Sequence, residues 1–199
     1  MVCTMKKFLI IDGSSMLSTS YYGNLPKSVL FAKTDKEKEK HYSEILRTSK
    51  GEYTNALFTM LRTLISLYKK VKPDYVAVAF DVSRDTFRRT QLAESYKANR
   101  KEAPAPLKEQ FIAMENLLQK IGCQVLMDKD YEADDFAASL VKKFESPDLD
   151  TYVLTKDHDY FQLVSDYTRL WRVTDKEKVK DLQQRYGLYA GKEGYDSLP

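Results

Sequence analysis

The chain has 199 residues, 43% of them hydrophobic, which is enough for one sizeable core and too few for two. Its 32 basic and 29 acidic side chains leave a net charge of +3, so partners must be read from where the charges sit rather than from their sum. No apolar run reaches transmembrane length, no signal-peptide pattern is present, and two cysteines and two histidines without metal-type spacing exclude a disulfide framework and argue against zinc. A soluble, cytoplasmic protein with free thiols is expected, in which any metal is held by oxygen.

Phe8-Leu9-Ile10-Ile11 is too short for a helix and is continuous rather than alternating, as in a strand buried on both faces. It ends on Asp12-Gly13-Ser14, and a helix is expected to begin near Ser14 or Ser15. Residues 25–50 carry a mixed-charge run with almost no apolar periodicity, read as a solvated helix or mobile insertion without chemistry of its own. Thr54 and Asn55 offer caps for a helix with Leu57, Leu61, Leu64, Ile65 and Tyr68 at helical spacing, closed by Lys72-Pro73-Asp74. The second strand, Tyr75 to Phe80, again ends on an acid, Asp81. After it, Arg84, Arg88, Arg89, Lys97, Arg100 and Lys101 are interleaved with Phe87 and Tyr96, a mixture that can grip phosphates and stack bases.

Leu107 to Ile121 reads as an amphipathic helix through Phe111, Met114, Leu117, Leu118 and Ile121, with Gly122 at an αL cap. A third strand, Cys123 to Met127, leads to Tyr131-Glu132-Ala133-Asp134-Asp135, three carboxylates inside four residues. Such density suits a helix N-terminus, and equally a cation that neutralises the cluster. In the helix that follows, Phe136, Ala137, Leu140, Val141 and Phe144 form the core stripe, while Glu132 and Asp135 share another face. A fourth strand, Thr151 to Thr155, runs into Asp157-His158-Asp159, and a short helix and a strand from Thr168 to Val173 complete the series. The alternation predicts an α/β fold with a mostly parallel central sheet covered by helices on both faces. Ligands of such sheets bind beyond the carboxyl ends of the strands.

There Asp12, Asp81, Glu132, Asp134, Asp135, Asp157 and Asp159 would converge on a site for hard divalent cations, Mg²⁺ or Mn²⁺. Neither a Ser-His or Cys-His pair nor a glycine-rich phosphate loop is visible. Carboxylate-held ions beside a basic, aromatic-interleaved segment point to phosphodiester hydrolysis.

Ile11-Asp12-Gly13-Ser14-Ser15, Ala79-Phe80-Asp81, Thr86-Phe87-Arg88, Tyr96-Lys97-Ala98-x-Arg100, Tyr131 to Asp135 and Leu154-Thr155-Lys156-Asp157-x-Asp159-x-x-Gln162-Leu163 together resemble the 5′-3′ exonuclease domain of bacterial DNA polymerase I, within the flap endonuclease superfamily. The resemblance runs in order from Phe8 to about Arg172. It implies one PIN-like, resolvase-like domain spanning 1–199 and a nuclease that removes 5′ flaps and RNA primers in replication and repair. It further implies that the seven acids bind metal, that Arg88 and Lys97 contact the scissile phosphate, and that 84–106 is an arch over the 5′ strand. Arg84, Arg88, Arg89, Tyr96, Lys97, Arg100 and Lys101 are then the nucleic-acid contacts. The expected partners are DNA with a 5′ single-stranded end or flap and a polymerase domain in a parent protein, the chain itself being a monomer. The helix-hairpin-helix region of the family, with its Gly-Asp-x-x-Asp motif, is not in this sequence, so a truncated fragment is expected, its second metal site incomplete and its activity reduced. The competing readings are a non-catalytic DNA-binding module, indifferent to Mg²⁺, and a PIN-type endoribonuclease. A phosphatase of the haloacid-dehalogenase type lacks its Asp-x-Asp here, and the basic segment argues against a receiver-like signalling domain.

Overall fold

A computed structural model describes residues 5–82 and 102–171. Five parallel strands form its sheet: β1 (Lys6–Asp12), β2 (Tyr75–Ala79), β3 (Gln124–Leu126), β4 (Leu149–Leu154) and β5 (Thr168–Trp171), in the spatial order β3-β2-β1-β4-β5. The central strand explains its own composition. Leu9 and Ile11 point into one apolar cluster and Phe8 and Ile10 into another, so β1 has no polar face and reads as an unbroken apolar run. Each such side chain, when fully buried, contributes roughly 1.5–3 kcal/mol.

The larger cluster lies under α1 (Gly13–Tyr22), α4 (Asn55–Val71) and α5 (Ala105–Lys120). The smaller lies under α6 (Ala133–Phe144) and a 3₁₀ helix at Asp159–Leu163. Helices therefore cover both faces, as the alternation predicted. Among the described residues no helix is long and apolar enough to cross a membrane. Gly122 has φ +85°, and the Gly122 and Cys123 N–H groups donate to Gln119 and Leu118, which closes α5 as a Schellman motif.

Two expectations shift. The buried residues of α4 are Asn55, Ala56, Met60, Leu67 and Val71; Leu57, Leu61 and Leu64 are half-buried beside them, while Ile65 and Tyr68 are exposed. Both stripes satisfy a 3.6-residue period, and the true one is displaced because Ala56 and Met60 advertise burial weakly. The charged stretch 25–50 is also more ordered than read. It forms α2 (Lys27–Phe31), α3 (Asp35–Lys40) and a 3₁₀ turn, with Val29 and Ile45 buried as anchors. A capping box between Thr34 and Glu37 starts α3, which buries none of its residues.

The chain steps from β1 to β2 to β3 in one direction and then returns to place β4 on the other side of β1. The strand order reverses between β1 and β4, and a crevice opens at their carboxyl ends.

Candidate metal centre at the carboxyl rim of the sheet

Asp12 is both the last residue of β1 and the N-cap of α1. Its Oδ1 accepts from the Ser15 N–H at 2.9 Å, and its Oδ2 accepts from the Thr155 hydroxyl at 2.8 Å. The side chain is 5% exposed. Burial pushes its carboxyl up to about 6; the two hydrogen bonds oppose that rise, and the charges of Asp81 and Asp157 add to it. Thr155 does double duty, since its Oγ1 also accepts the Asp157 N–H at 3.0 Å. Asp159 is tied in turn, its N–H donating to Asp157 Oδ1 at 3.0 Å.

From the other side, Asp81 leaves β2 with its N–H donating to Ser14 Oγ at 2.8 Å and its Oδ1 accepting the Ala133 N–H at 2.8 Å. That bond satisfies one of the free amides at the start of α6, across 52 residues of sequence. Glu132 is the N-cap of α6 and is 3% exposed. Asp134 follows in the first turn.

An open cleft of about 290 Å³ results, lined by Asp12, Asp81, Glu132, Asp134, Asp157 and Asp159 together with Ser14, Ser15, Ser18, Ala133 and Tyr160. Six of the seven predicted acids meet in it. Asp135 is placed otherwise: its Oδ2 accepts the Glu132 N–H at 3.0 Å, a helix-capping contact. The seven basic and aromatic positions assigned to nucleic acid, Arg84, Arg88, Arg89, Tyr96, Lys97, Arg100 and Lys101, lie outside the described residues. Residue-by-residue reading missed Thr155, Ser18 and Tyr160. Thr155 stands in the stretch from Leu154 to Leu163, where a hydroxyl two residues ahead of Asp157 was its only signal.

Among the described residues no three acidic side chains already close around one ion position. The donor set nonetheless suits a hard divalent cation. Every ligand atom on offer is oxygen, Asp12 is a carboxylate held against its preference in a buried place, and Tyr160, also on the cleft wall, has a buried Oη with no hydrogen-bond partner among the described residues. Tyr160 is itself surrounded by charge: burial, and then Asp12, Asp134, Asp81 and Asp157, hold its phenol far above the ordinary value.

The family described as 5′-3′ exonuclease, N-terminal resolvase-like domain, matches residues 7–187. The chain belongs to this family. It is 36% identical over 162 residues to a 5′-3′ exonuclease of Aquifex aeolicus, a match covering 81% of this chain and 49% of the relative. It is 41% identical over 153 residues to DNA polymerase I of Chloroflexus aurantiacus, covering 77% of this chain and 16% of the polymerase. The chain thus spans about half of the exonuclease and a small part of the polymerase. Among solved structures, the T5 D15 protein co-crystallised with metal ions superposes with a TM-score of 0.60 at 17% identity, over 92% of this chain and 61% of the other. The D15 flap endonuclease in a complex with DNA and metal ions gives 0.56 at 18% identity, with the same coverage. At that identity the superpositions establish the fold, and the fold is the resolvase-like one of the family.

Proposed function

We propose that this chain carries the catalytic site of a divalent-metal-dependent 5′-3′ exonuclease and 5′ flap endonuclease, acting on DNA and RNA primers in replication and repair. The observation that carries the reading is the convergence of Asp12, Asp81, Glu132, Asp134, Asp157 and Asp159, from four separate chain segments, in one open cleft at the strand ends. Metal-bound relatives of the same fold and exonucleases of the same family support it. Mg²⁺ or Mn²⁺ held there would lower the pKa of water and offset the charge that develops on the leaving oxygen.

The protein's own part is positional. Asp12 and Asp157 are joined through Thr155, and Asp81 is joined to the α6 amide, so aspartates from three strand ends are tied to one another or to the helix N-terminus. Such preorganisation limits the movement required when substrate arrives. Arg88 and Lys97, on the segment that follows Asp81, would bind the scissile phosphate, and Arg84, Arg89, Tyr96, Arg100 and Lys101 the neighbouring strand. The working form is a monomer in the cytoplasm, and the polymerase relatives favour a polymerase domain in the parent protein.

Cleavage of a 5′-flapped duplex and of 5′-labelled single-stranded DNA tests the reading, with Mg²⁺ or Mn²⁺ and Asp134→Ala as control. Product that requires the ion and falls at least about 100-fold in the variant is the expected result. Salt-sensitive DNA binding without ion-dependent cleavage would identify a binding module instead. Preference for hairpin RNA over flapped DNA would favour an endoribonuclease.

A further inference from the structure

Three carboxylates crowd the start of α6, and the structure divides them. Glu132 and Asp134 line the acidic cleft, whereas Asp135 does not. Successive helical residues project about 100° apart, so two neighbours in the first turn leave the axis in different directions. Asp135 is engaged with the backbone instead: its Oδ2 accepts the Glu132 N–H at 3.0 Å, and the two residues form a capping box with Glu132 at the N-cap. This bond explains the acid without a cation, because the N-cap amide needs a partner and the helix dipole favours negative charge in the first turn.

The same bond has a consequence for the cleft. Glu132 is only 3% exposed, and its backbone is extended, at φ −95° and ψ 167°, where the chain turns into the helix. Its own amide is held by Asp135, and the next amide, that of Ala133, is held by Asp81. Consecutive peptide groups are thus pinned on either side of the Glu132 side chain. Groups that orient a metal-ligating carboxylate without touching the ion commonly set its affinity. We propose that Asp135 is a positioning residue rather than a metal ligand: by holding the Glu132 amide it fixes the direction in which the Glu132 carboxylate enters the cleft, and through it the affinity for a divalent cation.

The proposal rests on the metal-dependent reading of the site, and the test separates the two. A ligand needs the charge of the carboxylate, whereas a cap needs only an acceptor oxygen, which asparagine keeps and alanine lacks. Mn²⁺ alone is titrated into the full chain and into Asp135→Asn, Asp135→Ala and Asp134→Asn, with free Mn²⁺ read by electron paramagnetic resonance. Melts in EDTA set a temperature at which each protein is folded, so that affinity is read on the native state. Asp135→Asn is expected to bind within about 3-fold of the parent, the effect of removing one screened charge. Asp135→Ala is expected to bind about 10-fold more weakly than Asp135→Asn, and Asp134→Asn at least about 100-fold more weakly than the parent. Equal affinities of Asp135→Asn and Asp135→Ala would overturn the proposal, whatever their size, because the acceptor would then not matter. A loss in Asp135→Asn as large as that in Asp134→Asn would overturn it too, by making Asp135 a ligand. No Mn²⁺ binding by the parent would overturn the metal reading itself.

Discussion

Gly13 shows how one missing side chain sets the geometry of the site. A β-carbon there would stand 2.6 Å from two atoms of the Phe80 ring, and Phe80 is fully buried, so the ring has nowhere to go. The two residues flank Asp12 and Asp81. Gly13→Ala is therefore expected to cost about 1–3 kcal/mol through overpacking, lowering the melting temperature by about 5 °C. It should also reduce nuclease activity by more than the lost folded fraction accounts for, because both neighbouring carboxylates move. Calorimetry and flap cleavage check this; an unchanged melt would show that the Phe80 ring yields. In the sequence Gly13 looked like ordinary turn punctuation between a strand and a helix. Its reason, a close approach to a ring 67 residues away, is a tertiary fact that local pattern cannot carry.

Among the elements, α4 depends on a residue outside itself. Its N-cap Thr54 makes no side-chain capping bond. Instead the fully buried Gln110 of α5 accepts from the Ala56 and Leu57 N–H groups at 2.8 and 3.3 Å, and donates to Asn55 Oδ1 at 2.8 Å and Pro106 O at 2.9 Å. Asn55 passes the link on to Tyr21 O at 3.2 Å, so three helices meet in one polar knot. Gln110→Leu keeps the volume and strands several buried donors and acceptors. The expected loss is roughly 3 kcal/mol, measured as a lower urea midpoint with an unchanged slope; a change within about 0.5 kcal/mol would mean that the helix end finds other partners. Legibility divides along the same line. Strand runs and helix spans were readable because a period needs only near neighbours, and Gly122 was readable because a left-handed cap favours glycine. Gln110 was not, since a polar residue in a helix is read as exposed until its partner 55 residues away is known. Ile65, Tyr68, Ile121 and Phe144 erred in the opposite direction, as apolar residues placed in the core stripe that the fold leaves at the surface.

At the scale of the whole molecule, the strand order decides the chemistry. Placing β4 beside β1 brings Asp157 to Asp12, two residues 145 positions apart, and α6 adds Glu132 and Asp134 to the same rim. Each strand that ends on an acid was visible in the sequence, and the rule that parallel sheets bind at their carboxyl ends turned those endings into a site. Which carboxylates face the cleft was not visible, because Asp134 and Asp135 are adjacent and only the packing of α6 separates their roles. Gathering these charges has a stability consequence whose sign is fixed by Asp12. Its folded carboxyl titrates at about 6, above the ordinary 3.8, chiefly because it is buried. An acid with a raised folded value holds its proton better in the native state, so its contribution is complete below about 3.8 and is lost as pH rises through about 6. In EDTA, the Asp12→Asn variant keeps the shape and the Ser15 contact without the charge. It is therefore expected to match the parent near about pH 4 and to become more stable than the parent by an amount on the order of 3 kcal/mol above about pH 7. Saturating Mg²⁺ or Mn²⁺ should reverse the order, since an ion that binds only the native parent adds stability by mass action and the variant has lost a ligand. Parallel urea titrations at several pH values, with and without the ion, measure both differences. A gap between the two proteins that does not move with pH would show that Asp12 is already ionised in the metal-free fold, compensated by neighbours other than a cation.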